Sequence, residues 1–390
     1  MSEAVLITNA QLRKTLAAVR SIGSRGVQVS VAETTRFSPA GYSYYCSSAY
    51  ISPDPSKDDL RYAEWLIRTL QNNNIKVLLP MDDDTMDVVM NHRWLFQDVC
   101  RLVLPPKLSY EAASDKSKSV LLAECSGVPT PLTFHPKNLE EISQISDQLT
   151  YPVVIKPRFS SGSRGIQLIR SSEQLIKEYP LVHQRYPYPL IQEFIPPGER
   201  FDVCLLYDNE GELKASFVQK ELRHFPIDRG PSTMQESVIR PDLIKLSLDI
   251  MENTPWCGVV ELEYMIDPRD GIPKFMEINP RFWNSLQTSI LAGIDFPWLL
   301  YQIASGVKID ESFEYRVGVR CRSLLPSDIL HYISNPHRFS LEPSFWSGAS
   351  LGGYDDILSL KDPKPTLGFL LACIRYITDP KAWKYLVGRS

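Results

Sequence analysis

Lys274-Phe275-Met276-Glu277-Ile278-Asn279-Pro280-Arg281 places a carboxylate, an amide and a guanidinium on alternate residues. Alternate side chains of a β-strand share a face. Glu277 and Asn279 therefore project together, and Arg281 joins them if the strand runs that far. Upstream, Gly258-Val259-Val260-Glu261-Leu262-Glu263-Tyr264-Met265 reads as a neighbouring strand, and Asp267-Pro268-Arg269-Asp270-Gly271 reads as the turn between the two. Glu263 precedes Glu277 by 14 residues, a spacing at which a hairpin can set the two carboxylates side by side. Close carboxylates repel unless a cation lies between them. A hard ion such as Mg²⁺ takes oxygen ligands and keeps some water and phosphate oxygens. Glu263, Glu277 and Asn279 are thus a candidate metal set. Arg281 offers a planar cation suited to phosphate or carboxylate. Glu261 shares the face of Glu263 and reads equally as a further ligand, a substrate contact or half of a buried ion pair.

The bulk composition limits the alternatives. A chain of 390 residues is long for one core, which points to two or three subdomains. A net charge of −4 gives no electrostatic reason to expect nucleic acid. The Met1–Ala10 start lacks a basic region followed by an apolar run, and no apolar stretch reaches the length of a membrane span. A cytoplasmic protein is the expectation. The seven cysteines are scattered without a C-x-x-C pair, so they read as free thiols, not as a disulfide framework or zinc site.

From residue 4 to about 105, strand and helix signals alternate. Strands are expected at Ala4–Thr8, Val27–Glu33, Lys76–Pro80 and Arg101–Leu104, with a candidate at Tyr44–Ile51. Helices are expected at Gln11–Ile22, Leu60–Gln71 and Thr85–Phe96. This alternation predicts a parallel sheet covered by helices. Its first turn, Thr8-Asn9-Ala10-Gln11, lacks the glycine fingerprint of dinucleotide sites. Tyr110–Pro131 reads as one linking helix with Ser114 as its N-cap, ended by Gly127 and Pro129. Pro326–Pro365 shows little periodicity, Leu367–Ile377 is short and apolar, and Asp379–Val387 is a candidate amphipathic helix.

Tyr151-Pro152-Val153-Val154-Ile155-Lys156-Pro157 is a β-branched strand that delivers a lysine. The loop after it contains Ser160, Ser161, Gly162, Ser163 and Gly165, and small residues let backbone N–H groups approach phosphate oxygens. Lys156 would meet the phosphates as a point charge. A surface hairpin has the same local signature.

Taken in order, these features resemble the ATP-grasp superfamily of carboxylate–amine ligases, across roughly residues 30–300. The resemblance implies α/β and α+β architecture. A Rossmann-like, pre-ATP-grasp domain (1–110) would precede a two-lobed ATP-grasp domain (111–305), and a C-terminal extension would fill 306–390. The small lobe would span about 134–192 and the large lobe about 193–305. The same resemblance gives Lys116 a nucleotide contact, places the adenine against the hinge Glu193, Phe194 and Ile195, and points to Glu199 for the ribose. It implies ATP and Mg²⁺ (or Mn²⁺) as cofactors. Lys156 and Arg281 become the catalytic charges that stabilise an acyl phosphate and its tetrahedral successor. Arg223 would clamp a substrate carboxylate, Ser232 and Thr233 would reach substrate or phosphate, and Trp283 follows Arg281 where family members position the acceptor.

Within the superfamily the chain is similar to stand-alone amino-acid and peptide ligases such as D-aspartate ligase, and to the synthetase halves of carbamoyl-phosphate synthase. It lacks the M-K-M biotinylation motif and the very glycine-rich loop of biotin carboxylase. The implied activity is an ADP-forming ligase that joins a small carboxylate to an amine. The alternatives are an ATP-binding regulator or scaffold without turnover, and a carboxylate kinase like carbamoyl-phosphate synthase. A homodimer is open, since dimers are common in the family. The aromatic tail with Trp383, Tyr385, Lys381 and Lys384 reads either as packed on the N-terminal domain or as a surface for a membrane or partner.

Overall fold

The computed structural model describes residues 2–160, 162, 164–227, 230–346 and 354–378. Its first 100 residues run β1 (Val5–Ile7), α1 (Arg13–Gly23), β2 (Val29–Glu33), β3 (Ser48–Ile51), α2 (Asp59–Asn72), β4 (Val77–Leu79) and α3 (Asp83–Asn91). The strands form a parallel sheet of order β3-β2-β1-β4. β1 and β4 are apolar at every position, as strands buried on both faces must be. Val5, Ile7, Val29 and Val31 turn to α1, whereas Leu6, Ala32 and Leu78 turn to α2 and α3. The strand expected at Arg101–Leu104 is reduced to a single bridge, Val77 with Arg101. The carbonyls of Leu104 and Pro105 bond to the Arg93 guanidinium instead of continuing a ladder.

The linking segment is two helices, α4 (Lys107–Ser114) and α5 (Lys116–Cys125), broken at Asp115. Asp115 is extended, and its carboxylate caps α5 by accepting from Ser117 N at 3.0 Å. The same carboxylate holds Arg158 Nε at 3.0 Å. Asp115, not Ser114, is therefore the cap, and the break fixes Lys116 at the first turn of α5. Gly127, with φ +70°, closes the helix.

The small sheet combines β5 (Thr133–Phe134), β6 (Val153–Lys156), β7 (Gln167–Ile169) and β8 (Leu190–Glu193), in the order β5-β8-β6-β7 with antiparallel pairs. Two helices, α6 (Glu141–Ser146) and α7 (Ser172–Arg185), supply Ile142, Leu175, Tyr179 and Val182 to its core.

The large sheet takes β9 (Arg200–Tyr207), β10 (Leu213–His224) and β11 (Ser232–Ser237), then β12 (Gly258–Ile266) and β13 (Pro273–Asn279) after α8 (Pro241–Met251). Beyond α9 (Leu286–Ala292) and α10 (Phe296–Ala304) it adds β14 (Arg320–Arg322) and, past α11 (Ile329–Ser334), β15 (Tyr354–Asp355). The order is β13-β12-β9-β10-β11-β14-β15. Val203, Leu205, Val260 and Leu262 share a core with Val120 of α5 and Leu243 of α8. On the opposite face, Cys204, Leu206 and Phe217 join Leu16 of α1 and Phe296 of α10 in one cluster, which ties the N-terminal and large sheets together.

The last described helix, α12 (Lys364–Thr378), follows a segment that grips α1. Arg13 pairs with Asp356 at 2.9 Å, and Arg20 pairs with Asp362 at 3.0 Å while donating to the carbonyls of Asp356, Ile357 and Asp362.

Candidate active site

β12 and β13 are antiparallel, with Glu261 opposite Asn279 and Glu263 opposite Glu277. The alternate spacing thus brings the two carboxylates to one face, as the hairpin reading requires. The next pair is Tyr264 with Phe275, so Met276 is an extra residue bulged out of the ladder. Its carbonyl accepts from Lys156 Nζ at 3.0 Å. Lys156 stands at the end of β6, and the bulge lets that strand of the small sheet anchor on the edge of the large one.

Glu277 Oε2 lies 3.3 Å from Lys156 Nζ and 3.4 Å from Lys116 Nζ. Lys116 also donates to the Ser160 carbonyl at 2.6 Å. Burial pushes the Glu277 carboxyl up, but Lys116 and Lys156 together outweigh it and hold the group below the usual range. Burial lowers the Lys156 ammonium, with Glu277 opposing and Lys116 adding to the fall. Glu263 has no comparable compensation. Burial first, then Glu277, Glu261 and Glu221, raise it well above an ordinary carboxyl. Glu261 is pushed up to about 7, by burial against the pull of Arg281 and with Glu221 adding to the rise.

The Asn279 amide nitrogen donates to Glu263 Oε1 at 2.8 Å and to Glu261 Oε2 at 3.1 Å. Its oxygen accepts from Arg281 at 3.1 Å. The donor side of the amide faces the carboxylates, and a half-turn of the amide would present the oxygen there. With that turn, two carboxylates on paired strands and one amide oxygen suit a hard divalent ion, and the chemistry of the residues fits Mg²⁺.

Arg281 reaches across to the N-terminal domain. Its Nε lies 2.6 Å from Asp83 Oδ1 and its NH1 donates to the Phe282 carbonyl at 3.1 Å. Asp82, next to Asp83 at the start of α3, accepts from Lys14 Nζ at 2.7 Å, and Lys14 also donates to the Phe282 carbonyl at 2.9 Å. Lys14 is fully buried. Lys14, Asp82 and Asp83 were not singled out from sequence. The usable signals were three consecutive acids at a strand end, where α/β sheets place their sites, and a lysine on the apolar stripe of α1. Asp202 was also missed. It is buried opposite Glu263 on β9 and accepts from Gln219 Nε2 at 2.7 Å. Burial, then Glu221, Glu261 and Glu263, raise its carboxyl well above the ordinary range.

At the junction of the two sheets, Glu193 N donates to the Leu132 carbonyl at 2.8 Å and Phe194 N to the Pro152 carbonyl at 3.4 Å. The Glu193 carboxylate pairs with Arg269 of the β12–β13 turn at 2.6 Å, and Ile195 is buried. Glu199 is exposed and pairs with Lys220. In the serine- and glycine-rich loop, Gly162 and Gly165 have φ of +62° and +77°. A Cβ on Gly165 would lie 2.6 Å from the Tyr186 ring and 2.8 Å from Pro157. Ser161 and Ser163 lie outside the described residues.

The substrate reading of three residues is corrected. Arg223 is 2% exposed and forks onto Asp328, 0% exposed, with two 2.8 Å bonds, while its NH1 donates to the Pro343 carbonyl. A guanidinium buried to this degree and forked onto Asp328 is not open to a substrate carboxylate. Thr233 is fully buried and donates to the same Asp328 at 3.1 Å. Trp283 is buried edge-on against Phe296, 4.9 Å between ring centroids, as part of the shared core. Ser232 is half-buried and accepts from Gln235 Nε2 at 2.6 Å.

Known proteins share this fold. A structure of biotin carboxylase from Campylobacter jejuni, in complex with β,γ-ATP, superposes with a TM-score of 0.68 at 16% identity, covering 82% of this chain and 74% of that one. N5-carboxyaminoimidazole synthetase from Staphylococcus aureus, complexed with ADP, gives 0.64 at 16% identity and 82% of both chains. The chain therefore shares its overall fold with these structures. In sequence, Biotin carboxylase 1 of Bacillus subtilis is 23% identical over 216 residues, 51% of this chain and 48% of that protein. The C-terminal section of the carbamoyl phosphate synthase large chain of Methanocaldococcus jannaschii is 23% identical over 259 residues, 63% of this chain and 40% of that protein. The chain spans about half the length, or less, of these curated relatives. The family model for the carbamoyl-phosphate synthase L chain, ATP binding domain, matches residues 115–312, just over half of the 390, and the chain belongs to that family.

Proposed function

We propose that the chain is an ATP-grasp ligase that activates a small carboxylate as its acyl phosphate and joins it to an amine, releasing ADP and phosphate. One observation carries the reading: two lysines from different elements, Lys116 and Lys156, converge on Glu277, whose strand partner is Glu263. Such a cluster combines fixed positive charge with paired oxygen ligands, and phosphoryl transfer needs positioning and charge neutralisation above all. Mg²⁺ would be held by Glu263, Glu277 and Asn279 and would supply charge stabilisation at the transferring phosphoryl group. Lys156 and Lys116 would bind phosphate oxygens in exchange for part of their contact with Glu277. The 160–165 loop would cover the phosphates, and the Glu193–Ile195 segment and Glu199 would take the adenosine. Arg281, held by Asp83 and Asn279, would orient the acid or its acyl phosphate.

In this reading, residues 1–110 support the site, 111–305 form the clamp and 306–390 brace it, with assembly as a homodimer. The test is a coupled ADP-release screen of amino acids and short acids, paired with amines. Mg²⁺-dependent ADP formation that needs both partners supports ligation. ATP binding without ADP formation from any pair would replace it with a regulatory role.

A further inference from the structure

Glu221 and His224 take no part in the metal set or the phosphate contacts, yet they share a surface with them. Glu277 lies opposite Glu263, Glu263 opposite Asp202, and Asp202 opposite Gln219, so the four side chains line one face of the large sheet. Glu221, two residues beyond Gln219 on β10, points to the same face. It is one of the charges that raise the carboxyls of Asp202, Glu261 and Glu263. The ladder between β10 and β11 then slips. Glu221 faces Gln235, Arg223 faces Met234, and Leu222 is bulged out. Across that bulge His224 turns back onto Glu221, with Nε2 2.7 Å from Oε2. Arg223 goes the other way, into the core with Asp328.

The pair is built like an oriented base. The side chains of Glu221 and His224 are 15% and 16% exposed, neither sealed in the core nor out in solvent. Burial pushes the Glu221 carboxyl up, and the His224 ring, Arg200 and Ser232 outweigh it and hold the group below the usual range. An ionised carboxylate can only accept, so a neutral His224 ring donates from Nε2 and keeps its lone pair on Nδ1. β9 lies between β10 and the metal ligands on β12 and β13. At about 4.8 Å per strand, that leaves space for an acyl group and an incoming amine. Amide formation requires the attacking nitrogen to shed a proton, and imidazole exchanges protons near neutral pH. In the ligase reading, Glu263 and Glu277 serve the metal while Lys116 and Lys156 serve the phosphates, so none of them is open to that proton.

Within that ligase reading, on which the inference rests, we propose that His224, oriented by Glu221, is the base that takes the proton from the attacking amine. The nitrogen lone pair forms the C–N bond, and the C–O bond to phosphate breaks with its electron pair leaving on phosphate. The surplus proton on nitrogen passes to His224 Nδ1, where Glu221 stabilises the imidazolium, and the departing phosphate then collects it. The test uses the full chain with an acid–amine pair that supports ADP release, and hydroxylamine as a second nucleophile. Hydroxylamine is uncharged at neutral pH and traps acyl phosphates without a base. In His224→Gln the new amide can keep the bond to Glu221 but cannot take a proton. This variant should lower amide formation about 10²–10⁴-fold and hydroxamate formation far less. Equal loss with both nucleophiles would make the role of His224 structural, and undiminished amide formation would remove it from the reaction; either overturns the proposal while the ligase reading stands. A wild-type chain that forms no hydroxamate with any acid fails at the earlier step, and the ligase reading falls together with the base.

Discussion

The two ends of the large sheet handle buried charge in opposite ways. Near the edge formed by β14 and β15, charges are matched. Arg223 forks onto Asp328, Thr233 and the Pro343 carbonyl complete the contacts, and Arg13 and Arg20 meet Asp356 and Asp362. At the β12–β13 edge they are not. Glu277 draws two lysines, while among the described residues Glu261, Glu263 and Asp202 receive side-chain hydrogen bonds from the neutral amides of Asn279 and Gln219 alone. A matched, buried ion pair holds parts together. Crowded carboxylates beside lysines that can exchange partners are costly for stability, and such a cluster in a cleft is the signature of a site.

Four substitutions can break or sharpen this contrast. Glu277→Ala should have the largest effect, lowering ADP formation by about 10²–10³-fold or more, with the circular dichroism of the folded chain retained. Wild-type turnover in this variant would remove the metal assignment. Arg223→Met should act only on stability. Stranding Asp328 in the core costs about 3–5 kcal/mol in urea unfolding, whereas nucleotide affinity of the folded fraction stays the same; a selective loss of activity would return Arg223 to the substrate. Lys156→Ala should weaken ATP binding by about 1.5–3 kcal/mol, and calorimetry showing undiminished affinity would separate Lys156 from the phosphates.

The smallest effect concerns pH. Burial raises the Asp356 carboxyl to about 6, even against Arg13. Its folded pKa thus lies above the unfolded value, so the folded state binds more protons between about pH 4 and 6 and loses stability as pH rises through that window. The stability advantage of Asp356→Asn over wild type should therefore grow by on the order of 2 kcal/mol or less from pH 4.5 to 7, measured by denaturant titration. A flat difference would show that Asp356 stays ionised beside Arg13.

Much of the candidate site's placement is legible because its key spacing is local. Glu277 and Asn279 follow from the period of two, and Glu263 needed only the adjacent hairpin. Lys156 was visible as the end of a β-branched run. The misses depend on contacts distant in the chain. Asp202 matters because β9 lies beside β12, and strand order is not written in any one strand. Arg223 looked available because Asp328, 105 residues later, falls in a segment without periodicity. The linking helix was read as continuous because Asp115 breaks it through a cap and an Arg158 contact, neither of which disturbs the helical pattern. The parallel sheet was read correctly from buried apolar strands between amphipathic helices, although its expected last strand is only a bridge.

Lys14 has a consequence for anyone who would transplant this domain. The family match begins at residue 115, which invites a cut there. Yet Arg281 leans on Asp83, and a lysine from α1 ties Asp82 to the carbonyl that follows Arg281. A graft made at residue 115 would carry the Glu263–Glu277–Lys156 cluster and leave behind the contacts that Asp83 and Lys14 make around Arg281. Exchanges between relatives should therefore keep the first 110 residues with their own partner.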